Sequence, residues 1–119
     1  MKNNKIDTAL ILAAGFGKRM LPLTSSTPKP LIKVKGKPLI DYCINNLKKI
    51  KINKIIINVH YESEQMINYI NQLDHKILIS DETKKLLDTG GAIKKAFKIT
   101  KAKNMIIMNS DVLWNSHSA

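Results

Sequence analysis

The sequence predicts an α/β fold with a mostly parallel sheet, and three features predict it. Four short apolar runs, 9–13 (ALILA), 54–59 (KIIINV), 76–80 (KILIS) and 105–109 (MIIMN), have the length and composition of strands buried on both faces. Stretches of helical length separate them, as βαβ crossovers require. A glycine-punctuated turn, Gly15-Phe16-Gly17, leaves the first run directly.

The elements follow in order. The first strand gives way to a long loop, 14–30, interrupted by Pro22, Pro28 and Pro30. Residues 38–49 predict a helix, with Leu39, Cys43, Ile44 and Leu47 recurring on one side and Pro38 suited to the first turn. After the second strand, 63–73 predicts another helix. Ser63 is its expected N-cap, and Met66, Ile67 and Ile70 form its apolar face. The third strand leads to Gly90-Gly91, which open a helix to about Ile99, and the fourth strand ends at Ser110-Asp111. Ligands of such sheets sit outside the carboxyl ends of the strands. The glycine loop, Asn58-Val59-His60, Ser80-Asp81-Glu82 and Asp111 all fall there.

Composition narrows the class. The chain has 119 residues, 44% of them hydrophobic and 5% aromatic, so its core is built from aliphatic side chains. It is long enough for one compact domain or part of a larger one. The single Cys43 has no disulfide partner within the chain, and no Cys/His spacing resembles a zinc site. No secretory signal and no membrane-length apolar run is evident, so the expectation is a cytoplasmic protein with no membrane partner. The net charge of +11 would suit nucleic acid. However, the lysines are scattered over several segments and lack interleaved aromatics for base stacking. Their abundance alongside isoleucine and asparagine fits compositional drift. The expectation is therefore no nucleic-acid partner, with a general field that favours small anions.

The candidate chemistry begins at Gly15. Arg19 is the only arginine in the chain. Its planar fork can meet two phosphate oxygens at once, which an ammonium cannot do. The loop is not a Rossmann fingerprint, because Met20 stands at the third glycine. Nor is it a P-loop, because Leu12 and Arg19 replace the required Gly and Ser/Thr. What remains is a turn able to present backbone N–H groups to an anion. Lys29 is clamped between Pro28 and Pro30, which restrict the backbone on both sides. Asp111, after an apolar strand, has the chemistry of a Mg²⁺ ligand. Leu86 to Ile93 (LLDTGGAI) puts two glycines at a helix start, where a ligand can approach the backbone and negative charge is favoured. Asp88 or Thr89 is the candidate cap there. His60 is either a hydrogen-bonding residue of the strand end or a site residue. Cys43, Met66, Met105 and Met108 are core candidates.

In order, LAAGFGKRM-L-PLT, TPKPL, LDTGGAI and NSD strongly resemble the nucleotidyltransferases that make nucleoside-diphosphate sugars. The resemblance runs from Thr8 to about Trp114. It is strongest to the N-acetylmuramate-1-phosphate uridylyltransferase and mannose-1-phosphate guanylyltransferase branch. It implies a Rossmann-like three-layer α/β/α fold, incomplete at the C-terminus. Residues 1–119 would then be the N-terminal, NTP-binding part of a nucleotidyltransferase domain. The implied substrates are an NTP and a sugar 1-phosphate, and the implied cofactor is Mg²⁺.

By that resemblance Leu12, Ala13, Ala14, Gly15, Gly17 and Lys18 cradle ribose and phosphates. Arg19 holds the β- and γ-phosphates, Lys29 neutralises charge at the α-phosphate, and Asp111 ligates Mg²⁺. Thr89, Gly90 and Gly91 complete the nucleotide site. Glu82, or Thr83 beside it, stands where a base-reading side chain is expected, which leaves UTP and GTP open. Ser110 replaces a usual glycine. Family members run to roughly twice this length, and their second half carries a further Mg²⁺-binding aspartate and most of the sugar pocket. The resemblance therefore implies inefficient turnover by these 119 residues alone. The competing classes are a nucleotide-binding but catalytically incomplete module and, on charge alone, a nucleic-acid-binding domain. A molybdenum-cofactor nucleotidyltransferase has a related glycine loop but fits TPKPL and DTGG less well.

Overall fold

A computed structural model describes residues 6–15, 26–73 and 76–110. Strand β1 (Thr8–Leu12) is followed by a 3₁₀ turn (Lys29–Leu31) and a two-stranded hairpin of β2 (Lys33–Val34) and β3 (Lys37–Pro38). Helix α1 (Leu39–Lys49), β4 (Lys54–Val59), α2 (Ser63–Gln72), β5 (Ile77–Asp81), α3 (Thr89–Thr100) and β6 (Ile106–Asn109) complete the order. The main sheet runs β5-β4-β1-β6 and is parallel throughout. Leu10 stands opposite Ile56 on one side and Ile107 on the other, and Ile56 stands opposite Leu78.

The central strands β1 and β4 are buried on both faces, which is why they read as continuous apolar runs, whereas the edge strands β5 and β6, expected to be buried likewise, expose Leu78 and Ile107 on one face. Ala9, Ile11, Ile55, Ile57 and Val59 pack on Ile40, Cys43, Ile44 and Leu47 of α1 and on Met66 and Ile70 of α2. Leu10 and Ile56 point the other way and meet Ala96 and Ile93 of α3. The result is three layers, α/β/α. The chain steps from β1 to β4 to β5, then crosses back to place β6 on the far side of β1. Beside β1 the direction of winding reverses, and such a switch point opens a crevice outside the strand ends.

Local chemistry explains the boundaries. In α1, Asp41 lies in the first turn and Lys48 and Lys49 in the last, each complementing the helix dipole. Ile52 N–H then returns to Leu47 O at 3.0 Å. Asp88 caps α3, its Oδ1 accepting from Gly91 N–H at 2.6 Å. Lys101, in the left-handed region at φ 58°, closes the helix through its N–H to Phe97 O.

Two sequence expectations change. Ser63 is the first helical residue of α2, not its cap. Glu62 holds the cap position at φ 50°, without a side-chain capping bond. The hairpin at 33–38 was not expected. It turns through Lys35 and Gly36, both at positive φ (54° and 80°), the pair of values that a tight two-residue hairpin loop demands.

Tyr69 ties α2 to α1 by donating its hydroxyl to Asp41 Oδ1 at 2.6 Å. Burial, followed by that carboxylate, pushes the phenol up from 10.0 to about 12. The unfolded chain releases this proton near pH 10, so the native state is the more protonated above that. The Tyr69 contribution is therefore whole below pH 10 and is lost as pH rises toward 12. Tyr69→Phe should cost about 1 kcal/mol at pH 9. It should also fall less than the parent between pH 9 and pH 11 in urea unfolding. Equal alkaline slopes would contradict the assignment.

Candidate functional site

The carboxyl ends of β1, β4 and β6 open into a cleft of about 580 Å³, within the range of small-molecule sites. One wall is the exit of β1: Leu12, Ala13, Ala14 and Gly15. Lys29 and Pro30 stand at one side, and Asn109 and Ser110 lie at the end of β6. The opposite wall is Leu86, Leu87 and Asp88, continued by Thr89 and Ala92 of α3, with Asn58 between the walls.

Each part is held for a visible reason. The exit of β1 is anchored to β4 twice. Ala13 N–H donates to Asn58 Oδ1 at 2.6 Å, and Tyr61 N–H donates to Ala14 O at 3.4 Å. Lys29 opens a 3₁₀ turn whose Pro30 is buried, and Leu31 packs against the core. Leu31 N–H bonds Pro28 O at 2.9 Å, and Ile32 N–H bonds Lys29 O at 3.0 Å. From α2, Gln65 Nε2 donates to Ser26 O at 2.7 Å and fixes the approach to the turn. The proline clamp therefore sits on a firm base and places Lys29 in the cleft lining. The first turn of α3 adds the positive end of a helix dipole.

Gly91 is closely packed in this construction. A Cβ there would stand 3.0 Å from Asp88 Oδ1 and 3.4 Å from Leu87 Cβ, against the capping bond and the cleft wall. A Cβ on Gly15 would meet nothing within 4 Å.

The sequence-predicted residues divide into four groups. Leu12, Ala13, Ala14, Gly15, Lys29 and Thr89 line the one cleft. Gly90 and Gly91 lie in the first turn of α3 behind it. Gly17, Lys18, Arg19 and Asp111 lie outside the described residues.

Glu82 and Thr83 differ from expectation. Both border a second cavity, of about 780 Å³, between α2 and α3. Glu82 is 2% exposed. Its Oε2 accepts from Asn58 Nδ2 and its Oε1 from Leu87 N–H, each at 3.0 Å. Thr83 donates both its N–H and its hydroxyl to Asp81, and these bonds lower the Asp81 carboxyl pKa. Each oxygen of Glu82 keeps acceptor capacity beyond these bonds, so a base-reading role would depend on access to this buried side chain. His60 serves the same network, its Nδ1 lying 2.6 Å from Glu82 O. A carbonyl only accepts, so Nδ1 carries the proton.

The sequence marked the segments that hold Pro30, Leu86–Asp88 and Asn109, through TPKPL, LLDTGGAI and NSD, but assigned those residues no contact with a ligand. Asn58 gave one available signal, a polar side chain inside an otherwise aliphatic strand. Among the described residues no group of three or more His, Cys, Asp or Glu side chains is placed to hold a metal. No described helix is long and apolar enough to cross a membrane.

A three-layer, Rossmann-like domain with its cleft at the switch point of a parallel sheet defines the class. The chain belongs within it to the nucleotidyl transferase family, whose model matches residues 8–118. It is 36% identical to the N-acetylmuramate alpha-1-phosphate uridylyltransferase of Caulobacter vibrioides, over 92% of this chain and 48% of that protein. It is 37% identical to the D-glycero-alpha-D-manno-heptose 1-phosphate guanylyltransferase of Aneurinibacillus thermoaerophilus, over 89% and 46%. Among solved structures, the CTP:phosphocholine cytidylyltransferase of Streptococcus pneumoniae superposes with a TM-score of 0.66 at 34% identity, covering 89% of this chain and 46% of that one. The chain spans about half the length of the curated relatives it matches.

Proposed function

We propose that this chain supplies the nucleotide side of a site that transfers a nucleotidyl group from UTP or GTP to a sugar 1-phosphate. The carrying observation is one cleft that gathers the glycine-loop exit, the clamped Lys29, the N-terminus of α3 and the end of β6. In the reaction, a phosphate oxygen of the sugar 1-phosphate attacks the α-phosphorus of the NTP. A new P–O bond forms, the α–β bridge bond breaks, and its electron pair leaves with pyrophosphate. A phosphate monoester is largely dianionic at neutral pH, with a second pKa of about 6, so no strong general base is needed.

The residues position and screen. Lys29 stabilises charge at the α-phosphate, and Arg19 holds the β- and γ-phosphates through its fork. The 12–15 backbone lies along ribose and phosphates. Mg²⁺ belongs to this proposal with Asp111 as its carboxylate, which follows cleft-lining Ser110 directly in sequence. Bound there, the ion would neutralise phosphate charge. Uridylyl and guanylyl transfer are the activities named for the two relatives above, which supports UTP and GTP as the nucleotides to test first. A second reading, a nucleotide-binding module without full turnover, rests on the same cleft.

A thermal-shift panel of UTP, GTP, CTP and ATP with Mg²⁺ tests the shared core of both readings. Ligand at 100 times its Kd stabilises by about 2.7 kcal/mol, which for a domain of this size is a rise of roughly 10 °C. UTP or GTP should give that rise and ATP a smaller one. A flat panel would remove the nucleotide site, and pyrophosphate release on adding sugar 1-phosphates separates the two readings.

A further inference from the structure

We propose that Asn58 and Glu82 are positioning residues that set the separation of the two cleft walls, with Glu82 acting through the Leu87 backbone. The proposal rests on the cleft being the nucleotide site.

Three bonds run from wall to wall. Ala13 N–H donates to Asn58 Oδ1 at 2.6 Å, Asn58 Nδ2 donates to Glu82 Oε2 at 3.0 Å, and Leu87 N–H donates to Glu82 Oε1 at 3.0 Å. Ala13 belongs to the β1 exit and Leu87 to the opposite wall. Asn58 is 3% exposed, so the link between the walls is shielded from water. Only one orientation of the Asn58 amide serves it, because a backbone N–H needs an oxygen and a carboxylate needs a donor.

Glu82 is fixed along its backbone as well. Its N–H bonds Val59 O at 2.8 Å, and its carbonyl accepts from His60 Nδ1 at 2.6 Å and Lys85 N–H at 3.1 Å. Buried bonds to an ionised acceptor are strong, and a lost partner leaves a buried polar group bare. A nucleotide entering between residues 13–15 and 86–88 therefore meets a gap of set width.

A reciprocal swap tests this at constant net charge. Asn58→Asp alone sets two carboxylates against each other, and Glu82→Gln alone sets two amide NH₂ groups against each other or forces Asn58 to flip away from Ala13. Together they restore all three bonds. The new carboxylate at 58 accepts from Ala13 N–H and from the new amide at 82, whose oxygen still accepts from Leu87 N–H.

UTP and GTP affinity and amide hydrogen exchange are measured for all four proteins. Each single variant should bind about tenfold more weakly, the scale of one charge-assisted bond, and should exchange faster at Ala13 and Leu87. The double variant should recover both. No recovery in the double variant would overturn the proposal. Should the single variants not fold, the folded double variant decides by keeping or losing parental affinity. Should the parent bind no nucleotide, the functional reading fails by itself. The coupling of the walls is then judged by exchange at Leu87 in Asn58→Asp, where faster exchange upholds it and unchanged exchange refutes it.

Discussion

Lys29→Met is expected to weaken NTP binding by a factor of ten or more and to reduce nucleotidyl transfer by about 10²–10³, with folding intact. The binding loss follows from deleting a charge-assisted bond to phosphate, worth about 1.5–3 kcal/mol. The larger loss in transfer follows from preorganised charge being most valuable where charge develops. Lys29 is suited to that role because its turn is built before any ligand arrives. Pro30 is buried, Leu31 sits on the core, and Gln65 holds Ser26 from α2. The side chain itself stands at the cleft edge, so its loss should leave the melting temperature within a few degrees of the parent. Calorimetric titration with UTP and GTP, and pyrophosphate release wherever turnover is measurable, check the two parts. Unchanged affinity together with unchanged transfer would remove Lys29 from the site.

Ile57→Ala is expected to have the largest effect on stability, a loss of about 3–4 kcal/mol, within the range for burying a cavity at an isoleucine. Ile57 is 0% exposed. It lies in β4 between Ile11 of β1 and Ile79 of β5, on the face covered by α1 and α2. Sheet neighbours flank it on both sides and helices lie above, so the site has little freedom to collapse. Against a typical total of about 5–15 kcal/mol, such a loss is large. Urea unfolding measures it, and a loss below about 1 kcal/mol would show that the core relaxes around the gap. The side chain at 57 points away from the face that carries Asn58. The fraction that remains folded should therefore bind nucleotide within about threefold of the parent.

Much of this architecture was legible because the sheet is parallel and its central strands are buried on both faces. ALILA and KIIINV need no alternation to read as strands, and the helices between them show their apolar stripes. The 33–38 hairpin was not legible. Its strands are two residues each, four of its six residues are Lys or Gly, and its Lys-Gly turn is a weak signal compared with Asn-Gly. The cap of α2 was misplaced by one residue because Ser63 has the chemistry of a cap, whereas Glu62 takes the position through its backbone.

At the site, glycine and proline spacing led to the β1 exit and to Lys29, since those residues act through local geometry. The state of Glu82 depends on Asn58, 24 residues earlier, and on a backbone N–H five residues later. No local pattern records that pairing. Arg19 and Asp111, the arginine fork and the expected metal carboxylate, lie outside the described residues, and their roles remain those implied by the motifs and proposed above.

The central claim is that nucleotide occupies the cleft between the β1 exit and the N-terminus of α3. Amide hydrogen exchange with and without NTP and Mg²⁺ tests it most directly. The account predicts added protection at residues 12–15, around Lys29, along 86–92 and at 109–110, with residues 83–85 and Lys95 of the second cavity unchanged. Protection centred on that second cavity, or none at saturating UTP and GTP, would contradict it.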